Sequence, residues 1–478
     1  MKILFLQDNG INESLAVTDV AGLLRSRGHE CDLLIMRNER RFREKIARSG
    51  AGLVVVPVDI WGEEAALALA VKAKESLDAP LVFCGTYPLL FPEIVERPEV
   101  DLVVRGEAEF PILDIANNLE AGRSCRDVPN VALREGGGVV VNDMRPLIQD
   151  LSILPLPFRE LYFKYWPLRQ MSMKRMTSGR GCPNACSFCF NAKFKAMFAG
   201  KGRYVRRKPV DLVTAEIDLL KRTGALRSLH FSDDLFTCDR NWVLAFCEAY
   251  ARAHSGLPFT CNTTIHDVDD EMLGEMKKAG CTGIAIGVET GNERLRMERL
   301  NKLYKDEEIR GTAAMIKSHG LFLTSFNMMA LPYETLENAF ETVRLNREIG
   351  ADNVRVTFLS PIPRTKLVED AVKDGLLPAE YGQSGGRVMT PEIETRKNEQ
   401  FRTLYALVDI AVASPFLEKL VRRFINVRIP RIILYFLLLP RMYREKKFFN
   451  IGLVSGLIFY LSTTMPQYRT KNFNNFLP

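Results

Sequence analysis

Three cysteines stand at positions 182, 186 and 189 within "TSGRGCPNACSFCFNAKF", residues 177–194. Thiolates so closely spaced have three common uses. A structural zinc site takes four ligands, usually as two C-x2–4-C pairs, and neither a second pair nor a nearby histidine accompanies this loop. A disulfide has no use for a third cysteine and belongs to oxidising compartments. An iron–sulfur cluster remains. A [4Fe–4S] cluster normally takes four cysteines, so three thiolates leave one iron open to a small chelating ligand. The other seven cysteines (Cys31, Cys84, Cys125, Cys238, Cys247, Cys261 and Cys281) are scattered without paired spacing. They read as small buried hydrophobes of a protein in the reducing cytosol, and no cleavable signal peptide is read at Met1-Lys2-Ile3-Leu4-Phe5.

The loop needs elements to hold it. A chain of 478 residues exceeds one ordinary core, so two domains and a tail are expected. In its second half, strands read near 173–178, 226–232, 258–264, 282–288, 321–328 and 353–359 alternate with amphipathic helices. Six β/α units predict a partial or complete β/α barrel whose active site lies at the carboxyl ends of the strands. The cysteine loop follows the first of them. The first half alternates all-apolar strands (2–7, 31–36, 52–58, 80–85, 101–106) with helices, the pattern of a doubly wound parallel sheet in an α/β protein. Residues 131–141 read as a hairpin and "ILPLPF", 153–158, as a proline-stiffened linker. The expected organisation is 1–145, a linker at 146–168, a barrel at 169–385 and a helical C-terminal region at 386–478.

The C-x3-C-x2-C spacing, with Phe188 before the last cysteine and a first barrel strand before the loop, resembles the radical S-adenosylmethionine (radical SAM) enzymes. The resemblance implies a [4Fe–4S] cluster on Cys182, Cys186 and Cys189, with SAM chelating the open iron and cleaved reductively to a 5′-deoxyadenosyl radical. "HFSDDLFT" (230–237), "MKKAGCTGIAIGVETGNERL" (276–295) and "NKLYKDEEI" (301–309) resemble the branch with an N-terminal cobalamin-binding domain, which includes methylases and an anaerobic oxidative cyclase. It implies that Ser232, Asp233 and Asp234 lie where SAM's amino group is held, that Glu289 faces SAM, and that Phe188 lies beside the adenine. The bland alternative for each is a loop-end cap or a solvated acid. The sequence departs from the family pattern at Thr264-Ile265-His266, where Arg-x-Asp is common. It departs again at Ala330-Leu331-Pro332-Tyr333-Glu334, for Gly-x-Pro-Gly-Glu, and at Pro363-Arg364-Thr365, for Pro-Gly-Thr.

"CGTYPLLFPEI" (84–94) and "DLVVRGEAEFPILDI" (101–115) resemble the cobalamin-binding fold, with Gly85 where the backbone approaches the corrin. The Asp-x-His-x-x-Gly motif that supplies a cobalt histidine is missing, and Cys84 and Pro57 replace a common Gly and a common Ser or Thr. The alternative to cobalamin binding is a retained fold without the cofactor. The implied activity is a cobalamin-dependent radical SAM methyltransferase acting on an unactivated carbon. The alternatives are an oxidative cyclase or C–C coupling enzyme without methyl transfer, and a membrane-docked binding or electron-relay protein whose cluster never cleaves SAM. A reducing partner such as flavodoxin or ferredoxin is expected.

The net charge of +7 belongs to the tail: from Pro415 onward there are eleven Lys/Arg against two acids. Apolar blocks at 432–439 and 448–465 are bracketed by Arg422, Arg423, Arg428, Arg431, Arg441, Arg444, Lys446 and Lys447. Such segments fit a membrane surface better than a span. The alternative is a helical cap on the barrel. The expectation is a cytoplasmic protein, peripheral on the cytoplasmic membrane face, with a hydrophobic substrate (a lipid, a polyprenoid or hopanoid, or a tetrapyrrole) and no nucleic acid.

Overall fold

The structure is a computed structural model, and it describes residues 1–10, 12–379, 381, 396–427, 440 and 443–449. The chain divides into two compact units. The first comprises Met1–Gln170 with Phe198–Gly224; the second comprises Met171–Met197, Ala225–Tyr381 and the described residues from 396 on.

In the first unit, β1 (Lys2–Gln7), β2 (Glu30–Ile35), β3 (Leu53–Pro57), β4 (Leu81–Cys84) and β5 (Leu102–Val104) form a parallel sheet in the order β2-β1-β3-β4-β5. The hairpin β6 (Val131–Glu135) and β7 (Gly138–Val141) extends it antiparallel. Strands buried on both faces explain their uninterrupted apolar runs.

The stretch read as a linker is a strap laid across this unit. Phe158 N donates to Thr18 O at 2.9 Å, and a Cβ at Gly22 would come within 2.7 Å of Leu156 O, so the helix needs glycine there. Farther along, the Tyr165 hydroxyl bonds Ile35 N and Leu33 O, at 3.0 and 3.1 Å. The strap also carries Arg159, fully buried, whose guanidinium reaches Glu216 (Nε, 3.1 Å) and Glu13 (Nη1, 3.0 Å). Lys208 donates to the same Glu216 at 3.1 Å. Residues 198–224, read from sequence as barrel, therefore pack by ion pairs within the first unit.

In the second unit, β8 (Met173–Met176), β9 (Ser228–Phe231), β10 (Phe259–Thr263), β11 (Cys281–Glu289), β12 (Phe322–Met329) and β13 (Asn353–Phe358) are parallel and neighbour one another in sequence order. Helical crossovers between successive parallel strands produce that order. The sheet curls into a partial barrel around one plug, Phe448 and Phe449, which packs with Met173, Ala285, Phe322 and Phe326 and meets His230 edge-on. Ser228 Oγ donates to Phe449 O at 2.6 Å and Asn353 Nδ2 to Glu445 Oε1 at 3.2 Å, near the amino ends of β9 and β13.

The C-terminal helix Arg396–Ala413 buries Phe401, Leu404, Tyr405 and Val408 against Phe340, Val343, Val354 and Val356. The start of the apolar block 448–465 is thus barrel core. The block 432–439 and the rest of 448–465 lie outside the described residues. Among those described, no helix is long and apolar enough to cross a membrane.

Candidate functional site

The three cysteines lie on the loop after β8, at the carboxyl edge of the barrel. Loops carry unpaired backbone groups and need outside partners to hold one shape. Here the partners come from the segment after β11: Ser187 N donates to Leu300 O at 2.9 Å, and Asn301 Nδ2 donates to Ala185 O at 2.8 Å. Leu367 N bonds Ser187 O at 3.0 Å, Lys195 Nζ bonds Pro183 O at 2.7 Å, and Cys189 N closes a turn onto Cys186 O at 3.1 Å. The thiols are therefore presented by a loop fixed on both sides.

All three are free, half-buried thiols. Burial pushes Cys182 up to about 11 and Cys189 up to about 12, and raises Cys186 as well. The charge of Cys186, once ionised, adds to the rise at both of the others, so the three groups lie within one electrostatic neighbourhood. Among the described residues, no three His, Cys, Asp or Glu side chains converge as ligands of one metal ion. A zinc ion would draw its thiolates in to about 2.3 Å each. Three thiols on one loop also suit a cluster in which each thiolate takes a different iron, and metal binding would draw off the protons that burial otherwise retains.

Two acids frame the thiols. Glu289 ends β11 at a register shift, where the backbone turns to φ 65°. A bulge of this kind re-aims a side chain. Its Oε1 accepts from Lys302 Nζ at 2.6 Å, with both groups buried. A Cβ at Gly287 would clash with both of these atoms, which explains the glycine two residues before the glutamate. Lys302 draws the Cys186 thiol down against the larger effect of burial, and Glu289 opposes it. The second acid is Asp234, which raises Cys182 and Cys189 and bonds Asn191. Burial raises the Asp234 carboxyl, and Asp233 beside it adds to the rise.

The remaining predicted residues take other positions. Asp233 is buried, and its two oxygens accept from Ser178 N, both at 3.0 Å, and from Ser178 Oγ at 2.8 Å, so it ties the end of β8 to the loop after β9. Ser232 Oγ accepts from Arg175 Nε at 2.9 Å. Phe188 is partly buried and packs against the apolar cluster that includes Leu300, Met328 and Leu331. In the first unit, Gly85 has φ 109°, and a Cβ there would come within 2.6 Å of Val58 O. Its need for glycine is met by that internal contact. Tyr87, next but one, is buried and bonds Glu63.

Sequence reasoning missed three residues. Lys302 is an ordinary lysine until the bulge at Glu289 is known. Asn191 Nδ2 lies 3.8 Å from Cys189 Sγ and also bonds Asp234. Cys238, grouped with the scattered cysteines, lies near enough to Cys182 to raise it. The departures from the family pattern are conformational as well: Ala330, Tyr333 and Arg364, where glycine is common, all keep positive φ, at 59°, 69° and 62°. Tyr333 is held there by Arg299, 3.9 Å above its ring, and by Asp374, which accepts from its hydroxyl at 2.8 Å.

Residues 176–345, spanning this site, match the model of the Radical SAM superfamily, so the chain carries a radical SAM domain there. It is 25% identical over 300 residues to an uncharacterized methyltransferase of Pyrococcus horikoshii, covering 62% of this chain and 64% of that protein. It is 26% identical over 373 residues to the anaerobic magnesium-protoporphyrin IX monomethyl ester cyclase of Rubrivivax gelatinosus, covering 74% of this chain and 65% of that one. The chain thus spans somewhat less than two thirds of the length of these relatives. Its fold is similar to that of OxsB, a cobalamin-dependent S-adenosylmethionine radical enzyme solved with aquacobalamin and S-adenosylmethionine bound. The TM-score is 0.67 at 15% identity, over 98% of this chain and 75% of that one.

Proposed function

We propose that the protein is a cobalamin-dependent radical SAM methyltransferase acting on an unactivated carbon of a hydrophobic substrate. One observation carries the radical part: three free thiols on a single pinned loop, bordered by Asp234 and by the Glu289–Lys302 pair, at the carboxyl edge of a parallel barrel. Cys182, Cys186 and Cys189 would hold a [4Fe–4S] cluster. That group, when bound with SAM, supplies the electron for reductive cleavage to a 5′-deoxyadenosyl radical. Around it the chain's residues work by position. Asp234 and Glu289 offer carboxylates to a cationic amino group, Lys302 fixes Glu289, and Asp233 fixes the loops.

Support for cobalamin comes from the doubly wound sheet of the first unit, where ligands bind beyond the carboxyl ends of the strands, and from the likeness to OxsB. The segments there are Asp8–Gly10, Val58–Trp61 and Gly85–Pro88. Bound cobalamin would supply the methyl group. A second reading, oxidative cyclisation without methyl transfer, is favoured by the resemblance to the magnesium-protoporphyrin cyclase.

The test is anaerobic reconstitution with iron, sulfide and hydroxocobalamin, followed by SAM and a low-potential reductant. Both readings expect 5′-deoxyadenosine, and only the methylase expects S-adenosylhomocysteine. Failure of the protein to retain corrin absorbance after desalting sinks the methylase.

A further inference from the structure

The helix Pro415–Arg423 has two opposed faces. The inner one is fixed to the second unit: Val421 is buried, and the buried Glu418 accepts from Arg347 Nη2 at 2.7 Å and Arg422 Nε at 3.1 Å. Arg422 also donates to Glu337 at 2.7 Å and lies 3.7 Å over the Phe340 ring. Ser414 caps the helix through Leu417 N at 3.1 Å.

The outer face, with the turn that follows it, leaves large apolar side chains in water: Phe416 is 73% exposed, Leu420 42%, Phe424 47% and Val427 53%. Their spacing of four, four and three residues sets them on one stripe. A single exposed leucine needs no explanation, but a contiguous stripe marks an interaction surface. Lys419 and Arg423 lie exposed beside it, and Glu418, the only acid between 413 and 427, is turned inward to its arginines.

We propose that this face docks the protein on an anionic lipid bilayer. The aromatic and aliphatic stripe would enter the headgroup and acyl boundary, while Lys419 and Arg423 lay their apolar stems along it and kept their charges among the phosphates. Charge sign selects this occupant. A second copy of the same face would bring the like charges of Lys419 and Arg423 together, whereas an anionic leaflet complements them. The residues that anchor this helix, Glu337, Phe340 and Arg347, are none of those that hold or border the thiol loop, so docking stands apart from the proposed chemistry.

The experiment is co-sedimentation of the full chain with vesicles of phosphatidylcholine alone or with phosphatidylserine. The wild type is expected to sediment with the anionic vesicles, and less so as salt is raised. The triple variant Phe416→Ser/Leu420→Ser/Phe424→Ser and the charge variant Lys419→Glu/Arg423→Glu should each lose at least tenfold in binding, with unchanged melting temperature and 5′-deoxyadenosine yield. Point variants are needed because truncation would also remove Phe448 and Phe449 from the barrel. Absence of wild-type binding, or equal binding by the variants, overturns the proposal. A wild-type dimer that the triple variant dissociates, without vesicle binding, overturns it in favour of a second copy.

Discussion

Lys302 Nζ stands 2.6 Å from Glu289 Oε1 in a space left by the missing side chain of Gly287, beside the Cys186 thiol. Breaking a buried pair by removing one partner leaves an uncompensated charge at a cost of about 3–5 kcal/mol. Lys302→Met is therefore expected to lower stability by roughly 3 kcal/mol, and Gly287→Ala to displace the same pair. Urea unfolding of Lys302→Met, Glu289→Gln and the double variant checks this. The double variant should recover part of the loss, since no lone charge remains.

Cys238 makes the open-iron reading testable. If the vacancy belongs to SAM, Cys238→Ala should retain a full cluster and a cluster electron-resonance signal that shifts on adding SAM. Cys182→Ala, Cys186→Ala or Cys189→Ala should each lose the cluster, and with it the cofactor that carries the hard chemistry, so that the rate of 5′-deoxyadenosine formation falls by more than about a hundredfold. A cluster lost in Cys238→Ala would make this cysteine the fourth ligand and remove the seat proposed for SAM.

His230 and Glu216 give acid stability two windows, the first opening at higher pH and overlapping the second below pH 4.5. Burial, with Arg175 and Arg355 nearby, pushes His230 down to about 3 from its ordinary 6.5, and its Nδ1 lies 2.9 Å from Thr260 Oγ1. The unfolded chain takes up a proton below pH 6.5 that the folded chain refuses, so stability falls as pH drops through that range. From pH 6.5 to 5 the loss is about 2 kcal/mol at ~1.4 kcal/mol per pH unit. Glu216 is opposed by burial but held below its ordinary 4.5 by Lys208 and Arg159. Its contribution is complete above pH 4.5 and disappears as pH falls below. His230→Gln should flatten the first window alone, and Glu216→Gln the second, as read by melting temperature against pH.

The barrel strands and the cysteine loop were legible because their signals are local: apolar runs between amphipathic helices, and thiols at fixed spacing. The strap at 146–168 was not. Prolines in "ILPLPF" read as a linker, while the evidence for packing lay in Gly22 of a distant helix and in Tyr165 reaching Leu33. Asp233 and Asp234 look equivalent in sequence, and only tertiary contact separates the one spent on Ser178 from the one beside the thiols. Lys302 became visible through a bulge that no periodicity announces.

Ala330 carries a backbone cost that can be removed. An L-residue in the left-handed region costs roughly 1–2 kcal/mol, while glycine costs about 0.5–1 kcal/mol in lost unfolded-state freedom. Ala330→Gly should therefore raise stability by up to about 1 kcal/mol. Tyr333→Gly should not, because it also gives up the Arg299 and Asp374 contacts. Thermal unfolding of the two variants separates backbone strain from side-chain anchoring.

The barrel floor supplies the last prediction. Phe448 is 2% exposed, and a Cβ at Gly283 would meet its ring at 2.9 Å and Phe322 O at 3.0 Å. Phe448→Ala should cost about 3–5 kcal/mol by removing buried surface and leaving a cavity. Gly283→Ala should cost about 1–3 kcal/mol by overpacking. The pair should be less than additive, because the methyl group enters the space the ring vacates, yet the Phe322 carbonyl still resists it. Full additivity in a double-mutant cycle would mean that the ring and the glycine do not meet, and that the sheet does not curl around this plug.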